Sequence, residues 1–165
     1  MTNLYIDFDG VILNTIEISY NEMKKLKIMD NPIKIMEYYR NLDWKKFLNI
    51  CKPINDSINC IQKIIDSNIF NVNILSHVNS LEEAIAKIEY IRRYFKDITF
   101  IPVPKQISKT KMVHTNDAYL IDDFKGNLVE WEKAGGIGIR FNTDMEANGF
   151  TVIDRLDSII DIVSE

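Results

Sequence analysis

Two pairs of aspartates have the residue types and spacing that metal-assisted chemistry requires. Asp7 and Asp9 lie in the segment Tyr-Ile-Asp-Phe-Asp-Gly-Val, and Asp122 and Asp123 follow the apolar residues 118–121. Because side chains alternate between the faces of a strand, Asp7 and Asp9 point to the same side and repel each other unless a positive charge intervenes. If both strands belong to one parallel sheet, their carboxyl ends share an edge, where open α/β folds bind ligands. The sequence therefore predicts a cation site there.

The elements that position these aspartates are predicted from apolar patterning. Continuous runs rich in β-branched residues predict strands buried on both faces at 4–7, 72–76, 98–103, 118–122, 138–141 and 151–153. Between them, Ser80 and Glu83 form a capping box that begins a helix with Leu81, Ala84, Ile85 and Ile88 on its apolar face. Further helices are predicted at 125–134, ending at the pair Gly135-Gly136, and at 156–163. This alternation predicts an α/β fold with three layers around a Rossmann-like parallel sheet.

Residues 15–67 break the alternation, because they show helical patterns and no convincing strand. We expect a core domain formed by 1–14 and 68–165, with a small helical cap at 15–67 inserted after strand one. The insertion contains Tyr38, Tyr39 and Trp44. These aromatics either form the inner face of a helical bundle or contact a substrate, for example by stacking on a base, and both can hold at once.

Composition limits the classes of protein to which the chain can belong. A chain of 165 residues, 46% of them hydrophobic, can form one good core and a small accessory element. No apolar run approaches the ~18 residues of a membrane span, and no targeting signal is visible. The net charge of -4 argues against binding to a nucleic acid polymer. Cys51 and Cys60 match no metal or redox spacing, which predicts buried thiols in a reducing, cytoplasmic compartment.

The order of these motifs resembles that of the haloacid dehalogenase-like (HAD) superfamily over nearly the whole chain. The first motif is the Asp-x-Asp of Asp7 and Asp9, and the second is a strand that ends in Ser or Thr, here Ser76. A lysine forms the third motif, and the acidic pair Asp122-Asp123 forms the fourth. The early helical insertion and the Leu-Ile-Asp-Asp segment look most like the branch of 5'-nucleotidases and deoxyribonucleotidases.

The resemblance implies a Mg²⁺-dependent phosphatase that acts on a small phosphomonoester, such as a nucleoside monophosphate. Asp7 is then the nucleophile that forms an aspartyl-phosphate, and Asp9 is the general acid and base. Ser76 donates its hydroxyl to a phosphoryl oxygen. Mg²⁺ is held by the Asp7 carboxylate, the backbone carbonyl of Asp9 and the Asp122 carboxylate, with Asp123 supporting the metal directly or through water.

The catalytic lysine is expected among Lys105, Lys109 and Lys111, which all precede the fourth motif. Lys109 is favoured because Ser108-Lys109-Thr110 resembles the corresponding segment of the nucleotidase-like branch, and Lys111 is the next candidate. Asn127 stands where many family members carry a further acidic residue. If Asn127 binds a metal-bound water, we expect the site to be retained. If the acid is needed as a ligand, we expect weaker metal binding than is usual for the family.

Two alternatives to a phosphatase stay open at the level of sequence. The same scaffold could pass the phosphoryl group from Asp7 to an acceptor other than water, as a phosphotransferase. It could also bind a phosphorylated ligand or a partner without turnover. Against the second alternative, neither Asp7 nor Asp9 is replaced by a neutral residue.

Overall fold

The computed structural model describes residues 1–164, which form one six-stranded parallel sheet and seven α-helices. The predicted α/β class with a Rossmann-like parallel sheet is confirmed. Every predicted strand overlaps an observed one, with differences of one or two residues at most ends. The strands are β1 (Thr2–Ile6), β2 (Phe70–Val78), β3 (Thr99–Pro104), β4 (Tyr119–Asp122), β5 (Ile137–Phe141) and β6 (Thr151–Ile153).

The helices begin where polar side chains can satisfy their free backbone N–H groups. Asn31, Asp43 and Ser80 each accept a hydrogen bond from the backbone N–H three residues further on. The helices are α1 (Thr15–Lys25), α2 (Pro32–Asn41), α3 (Trp44–Ile50), α4 (Ser57–Asp66), α5 (Leu81–Arg92), α6 (Lys125–Lys133) and α7 (Ser158–Ser164). As the sequence predicts, α6 stops before Gly135, which adopts a φ of 91°.

The sheet order β3-β2-β1-β4-β5-β6 places β1 between β2 and β4. Ile6 at the end of β1 is in register with Ile74 on one side and with Ile121 on the other. The strand order reverses at β1, so a crevice opens at the carboxyl ends of these three strands. This topology brings the predicted motif residues to one edge of the sheet.

Apolar side chains cover both faces of the sheet, as expected for a buried parallel sheet. One cluster joins Leu4 and Ile6 of β1 to residues of α3, α4, α5 and α7. The opposite cluster joins Tyr5 to Leu128 and Trp131 of α6. The neighbours Leu4, Tyr5 and Ile6 therefore alternate between the two cores, and this alternation fixes the register in which β1 enters the sheet.

The buried face of α5 differs from the one predicted. Leu81 is 71% exposed and Ile85 is 45% exposed, whereas Ala84 is buried as expected. Glu83 and Lys87 occupy the buried face instead, together with Ala86, Tyr90 and Ile91. The prediction failed because hydrophobicity alone excludes charged residues from a core, although an ion pair that also makes hydrogen bonds can be buried.

The segment between β1 and β2 is helical, in agreement with the sequence pattern. Its last helix, α4, packs against β2, and its residues Cys60, Ile61 and Ile64 belong to the same core cluster as the sheet. In contrast, α2 has no fully buried residue. Both cysteines are buried and unpaired. Among residues 1–164, none of the helices has the length and apolar character that a membrane crossing demands.

Candidate active site

Asp7 lies directly after β1 and is held there by the sheet. Its backbone N–H donates to the Ile121 carbonyl at 2.9 Å, which continues the pairing of β1 with β4 by one residue. Its side chain is buried and points toward the carboxyl ends of the neighbouring strands. The main chain therefore fixes the position of this carboxylate, independently of any flexible loop.

Lys109 joins the two predicted acidic motifs. Its Nζ lies 2.9 Å from Asp7 Oδ1 and 2.7 Å from Asp122 Oδ2, and the side chain is buried. Burial alone lowers the pKa of this lysine, but the carboxylates of Asp122 and Asp7 raise it by more, so the ammonium stays charged. Lys111 is exposed, although it belongs to the same short 3-10 turn, Lys109–Lys111. The structure thus brings Lys109, rather than Lys111, to the aspartates.

Asp122, the last residue of β4, is held by the loop that follows it. Its Oδ1 accepts from the Phe124 backbone N–H at 2.9 Å, and its Oδ2 accepts from Asn127 Nδ2 at 3.0 Å. The Asn127 amide therefore orients Asp122. The resemblance to the HAD superfamily implies an acidic residue at this position instead. The carboxylate is fully buried, so these bonds and the one from Lys109 replace its hydration.

Asp7, Asp122 and Asp123 each present a carboxylate oxygen, and these oxygens all lie within 4.8 Å of one another. Burial, together with the charge of Asp122, raises the pKa of Asp7 to about 7. Burial and the charges of Asp7 and Asp122 raise the pKa of Asp123 to about 10. Ionisation of all three carboxyl groups would therefore place more negative charge here than Lys109 alone offsets. Clustered carboxylate oxygens of this kind fit a hard divalent cation such as Mg²⁺.

Two features of the surrounding backbone keep Asp123 in the group. Gly10 adopts a φ of 74°, and a Cβ at this position would collide with Asp123 Oδ2. Arg140 donates from Nη1 to the Asp123 backbone carbonyl at 3.2 Å and from Nε to the Glu146 carbonyl at 2.7 Å. The glycine provides the space for the Asp123 carboxylate, and the arginine fixes the loop that carries it.

Asp9 has surroundings that differ from those of Asp7. Thr15 Oγ1 donates to Asp9 Oδ1 at 2.7 Å, and Lys87 Nζ donates to Asp9 Oδ2 at 2.7 Å. The sequence predicts one cation between Asp7 and Asp9, but in the structure each carboxylate has its own lysine. The side chain of Asp9 thus lies apart from the carboxylate oxygens of the trio, which leaves its backbone carbonyl as the group predicted to contact a metal.

Lys87 of α5 is a residue of this site that the sequence pattern did not predict. Its Nζ contacts Asp9, Glu83 Oε2 at 2.6 Å and Ser76 Oγ at 3.1 Å, and the side chain is completely buried. One signal in the sequence could have revealed it. Glu83 and Lys87 are four residues apart and share a helix face with Ala84 and Ile91, which is the spacing of an internal ion pair within an apolar stripe.

Ser76 lies near the end of β2, beside Lys87. Its hydroxyl accepts from Lys87 Nζ and donates to the His77 carbonyl at 3.2 Å, and the residue is fully buried. The structure therefore brings Ser76 to the aspartates through Lys87. Its predicted contact with a phosphoryl oxygen stays a prediction.

A cleft of about 570 Å³ opens over the site and is lined by Asp7, Asp9, His77, Asp123 and Asn127, among others. A cavity of about 290 Å³ adjoins it between α1, α2 and α3. Tyr39 and Trp44 line this second cavity, and their rings stack at an interplanar angle of 16°. Tyr38 faces elsewhere, because its hydroxyl donates to Glu22 at 2.8 Å near the surface.

The same architecture occurs in solved structures of HAD hydrolases. A HAD hydrolase of family IA, variant 3, from Entamoeba histolytica matches with a TM-score of 0.60 and 14% identity over 100% of both chains. A HAD-superfamily hydrolase from Ehrlichia chaffeensis matches with a TM-score of 0.59 and 12% identity. A hydrolase from Pseudomonas syringae matches with a TM-score of 0.64 and 8% identity. In both cases 99% of this chain and 98% of the other are covered.

These structural similarities define the fold of the chain, at identities too low to define its activity. No protein-family model matches the sequence, and neither does any curated protein. The chain therefore has the fold of the HAD hydrolases, with an aspartate cluster at the carboxyl edge of its sheet.

Proposed function

We propose that this protein is a Mg²⁺-dependent phosphatase that hydrolyses a small phosphomonoester through an aspartyl-phosphate. One observation carries the proposal: Asp7 lies at the carboxyl end of the central strand and shares the ammonium of Lys109 with Asp122, while Asp9, two residues on, has a separate set of partners. Phosphoryl transfer needs a nucleophile, neutralisation of the charge on the phosphoryl oxygens and a proton for the leaving group, and each requirement has a residue here.

In the first step, a carboxylate oxygen of Asp7 attacks phosphorus while the bond from phosphorus to the ester oxygen breaks. The carboxylic acid of Asp9 gives its proton to the departing oxygen, so the alcohol leaves neutral. Lys109 offsets the negative charge that the nucleophile, Asp122 and the phosphoryl group bring together. The product of this step is an aspartyl-phosphate on Asp7.

In the second step, Asp9 takes a proton from a water molecule, whose oxygen attacks the same phosphorus atom. The bond between phosphorus and Asp7 then breaks, which releases inorganic phosphate and regenerates the carboxylate. Asp9 has regained its proton by the end of the cycle. Asp7 and Asp9 have separate hydrogen-bond partners, so each carboxyl group can keep one role in both steps, as nucleophile or as acid and base.

The residues present fit a divalent cation, because Asp7, Asp122 and Asp123 already group their oxygens. Asp7 and Asp122, with the backbone carbonyl of Asp9, would hold Mg²⁺, and Asp123 would support it. When bound, the ion would supply positive charge to the phosphoryl oxygens. Lys109 and Asn127 orient the carboxylates that would receive it.

The remaining parts of the proposal concern substrate access and location. We assign residues 15–67 to a cap over a core of 1–14 and 68–165, as the sequence predicts. Since α4 packs on the sheet, the substrate-facing part of this cap is α1, α2 and the start of α3. We further propose a cytoplasmic enzyme with a small phosphorylated substrate and no nucleic acid polymer or membrane as partner.

A phosphatase screen tests the proposal. Nucleotides, sugar phosphates and a chromogenic ester are offered with Mg²⁺ or with chelator, and release of inorganic phosphate is measured. We expect metal-dependent release that Asp7→Asn abolishes. Unchanged release by Asp7→Asn contradicts the mechanism. Transfer of the phosphoryl group to an added alcohol, in preference to water, indicates a phosphotransferase, and no turnover of any ester indicates a binding protein.

A further inference from the structure

The cavity beside Asp9 has walls that are largely apolar. Its lining includes Met23, Met29 and Ile35, together with Met36 and the aromatic side chains of Tyr39, Trp44 and Phe47. Methionine side chains adapt their shape to irregular apolar ligands, and aromatic rings offer flat faces. The walls therefore match a ligand group without charge and with few polar atoms.

Most of the polar side chains on the same walls are already bonded within the protein. The exceptions Tyr20 and Lys105 line the end of the cavity that is shared with the cleft. Ser19 Oγ and the Tyr39 hydroxyl pair at 2.9 Å, Thr15 donates to Asp9, and Glu83 accepts from Asn79 and Lys87. Throughout residues 1–164, no buried side-chain nitrogen or oxygen lacks a hydrogen-bond partner. A sugar beyond that shared end would have to lose its hydration with few replacement partners, which disfavours polyhydroxylated ligands.

The cavity is continuous with the phosphate end of the site. Asp9, Ile16, Tyr20, His77 and Lys105 line both this cavity and the cleft above Asp7. In the proposed reaction, Asp9 protonates the ester oxygen of the leaving group. A substrate whose phosphorus faces Asp7 would therefore extend its alcohol part past Asp9 and into the cavity.

We propose that this cavity binds the leaving group of the substrate, and that the substrate is a phosphomonoester of an apolar, aromatic or alkyl alcohol. This assignment rests on the proposed phosphatase function and names its substrate class. A volume of about 290 Å³ is about twice that of the ~150 Å³ apolar cavity that binds benzene, so one or two rings fit.

The test compares 2-phenylethyl phosphate with glucose 6-phosphate. Both are esters of primary alcohols, so differences in rate report on binding of the alcohol part rather than on leaving-group chemistry. We expect kcat/KM to be about 100-fold higher for the phenylethyl ester. Similar kcat/KM values for the two esters overturn the inference but leave the phosphatase proposal standing.

A pair of variants on one helix provides the matched control. Ile35 of α2 lines the cavity and is half-buried, whereas Ile33 of the same helix is 68% exposed. Ile35→Asn should raise KM for 2-phenylethyl phosphate about tenfold and so reduce the preference for this ester over glucose 6-phosphate. Ile33→Asn should change neither. Equal effects of the two substitutions contradict the assignment.

Binding of the product separates this inference from the proposed activity. Titration of the protein with 2-phenylethanol, followed by NMR shifts of the Trp44 indole N–H, needs no turnover. Binding that Ile35→Asn weakens supports the cavity assignment even if no ester is hydrolysed, in which case only the phosphatase proposal fails. The absence of both binding and selective turnover overturns the assignment.

Buried Lys87 carries a second, independent inference. Its ammonium contacts Asp9, Glu83, Ser76 and the His77 carbonyl, at distances from 2.6 to 3.3 Å. Because the buried ammonium is held by its other three contacts, its bond to Asp9 fixes the position of the Asp9 carboxylate. We infer that Lys87 is a positioning residue that aims Asp9 at the ester oxygen, an inference that also rests on the proposed reaction.

The double variant K87M/E83Q tests this role, because it removes both buried charges with little change in volume. We expect kcat/KM for 2-phenylethyl phosphate to fall at least about tenfold more than kcat/KM for 4-nitrophenyl phosphate, whose leaving group needs no proton. E83Q alone keeps the contact between Lys87 and Asp9 and should not show this selectivity. An equal loss on both esters indicates a merely structural role and overturns the inference.

A second variant protects the test against misfolding. Lys87→Gln keeps a donor for Glu83 but is too short to hold Asp9 in the same place, and the same selective loss is expected. Turnover of both esters by the wild-type protein establishes the phosphatase, and only the selectivity of the variants then decides the role of Lys87. If the wild-type protein turns over neither ester, the inference about Lys87 fails, whereas the phosphatase proposal depends on the wider screen of esters.

Discussion

Lys109 Nζ lies 2.9 Å from Asp7 Oδ1, although the two residues are 102 positions apart in the sequence. The contact is buried and shared with Asp122, so it links the end of β1 to the end of β4. A lysine at this point reduces the repulsion between two carboxylates and leaves the outer side of Asp7 open to the cleft.

Replacing Lys109 should abolish most activity. Lys109→Met leaves Asp7 and Asp122 without their shared cation. It also removes the positive charge that would lie beside the phosphoryl group in the transition state. We expect kcat/KM to fall ~10²- to 10³-fold for any ester that the protein hydrolyses. Lys111→Met, in the same turn but exposed, is the matched control and should retain near wild-type activity. A larger loss with Lys111→Met would assign the catalytic lysine to that position instead.

The stability of the metal-free protein should fall as pH rises through neutrality. The pKa of Asp7 is raised to about 7 and that of Asp123 to about 10, from an ordinary value of 3.8. A carboxyl group whose pKa is raised by folding stabilises the fold below its unfolded pKa, and that stabilisation is lost as pH rises through the folded pKa. Urea unfolding in chelator between about pH 6.5 and 9.5 should show the decline.

Two comparisons isolate the carboxylate cluster in that experiment. Asp123→Asn removes the group with the higher pKa, so its free energy of unfolding should depend less on pH over the same range. Saturating Mg²⁺ should stabilise the wild-type protein more at the alkaline end, because the metal binds the ionised carboxylates. A free energy of unfolding that rises steadily with pH in chelator is incompatible with raised pKa values at this site.

Gly10 should tolerate no side chain. Gly10→Ala places a Cβ against Asp123 Oδ2 in a backbone conformation with positive φ. Gly149 has a φ of 90°, but a methyl group there would have nothing within 4 Å, so Gly149→Ala isolates the backbone cost of ~1 to 2 kcal/mol. We expect Gly10→Ala to lose more stability than Gly149→Ala in thermal unfolding and, in addition, to bind Mg²⁺ more weakly. Equal Mg²⁺ affinities would contradict the close contact with Asp123.

Asn127→Asp should strengthen metal binding. The substitution exchanges an amide that donates to Asp122 for a further carboxylate at the same place. Isothermal titration with Mg²⁺ should show affinity higher by about tenfold, and the metal-free variant should be less stable because of the added repulsion. Asn49→Asp, exposed on α3 and hydrogen-bonded to Arg93, adds the same charge outside the cluster and should leave the Mg²⁺ affinity unchanged. A lower affinity in Asn127→Asp would show that the amide is needed to orient Asp122.

The sheet, and the group of polar residues at its carboxyl edge, could be predicted because each corresponds to a local pattern in the sequence. Strands buried on both faces appear as unbroken apolar runs, and the alternation with helices determines a parallel arrangement. Asp7, Asp9, Ser76 and Asp122 directly follow or end such runs, so their meeting at one edge follows from the topology. The choice between Lys109 and Lys111 needed the structure, because a 3-10 turn buries one and exposes the other.

Lys87 and the apolar cavity depend on packing, for which the sequence carries a weaker signal. Periodicity assigns the most hydrophobic side of α5 to the interior, but Leu81 and Ile85 face outward since the ion pair of Glu83 and Lys87 is buried instead. The cavity is formed by side chains from several helices whose relative positions no local pattern specifies. Tyr38 and Tyr39 are adjacent in sequence, yet only Tyr39 reaches the cavity.

The order of the sheet also determines when the aspartate cluster can form during folding. Ile6 pairs with Ile74 and with Ile121, so the cluster is complete only after β1 has closed two long loops. Contacts between residues so distant in sequence form slowly and late. Mg²⁺ should therefore slow unfolding in stopped-flow experiments and leave the refolding rate nearly unchanged. During synthesis, the aspartate cluster can therefore form only after β4 has emerged from the ribosome and paired with β1.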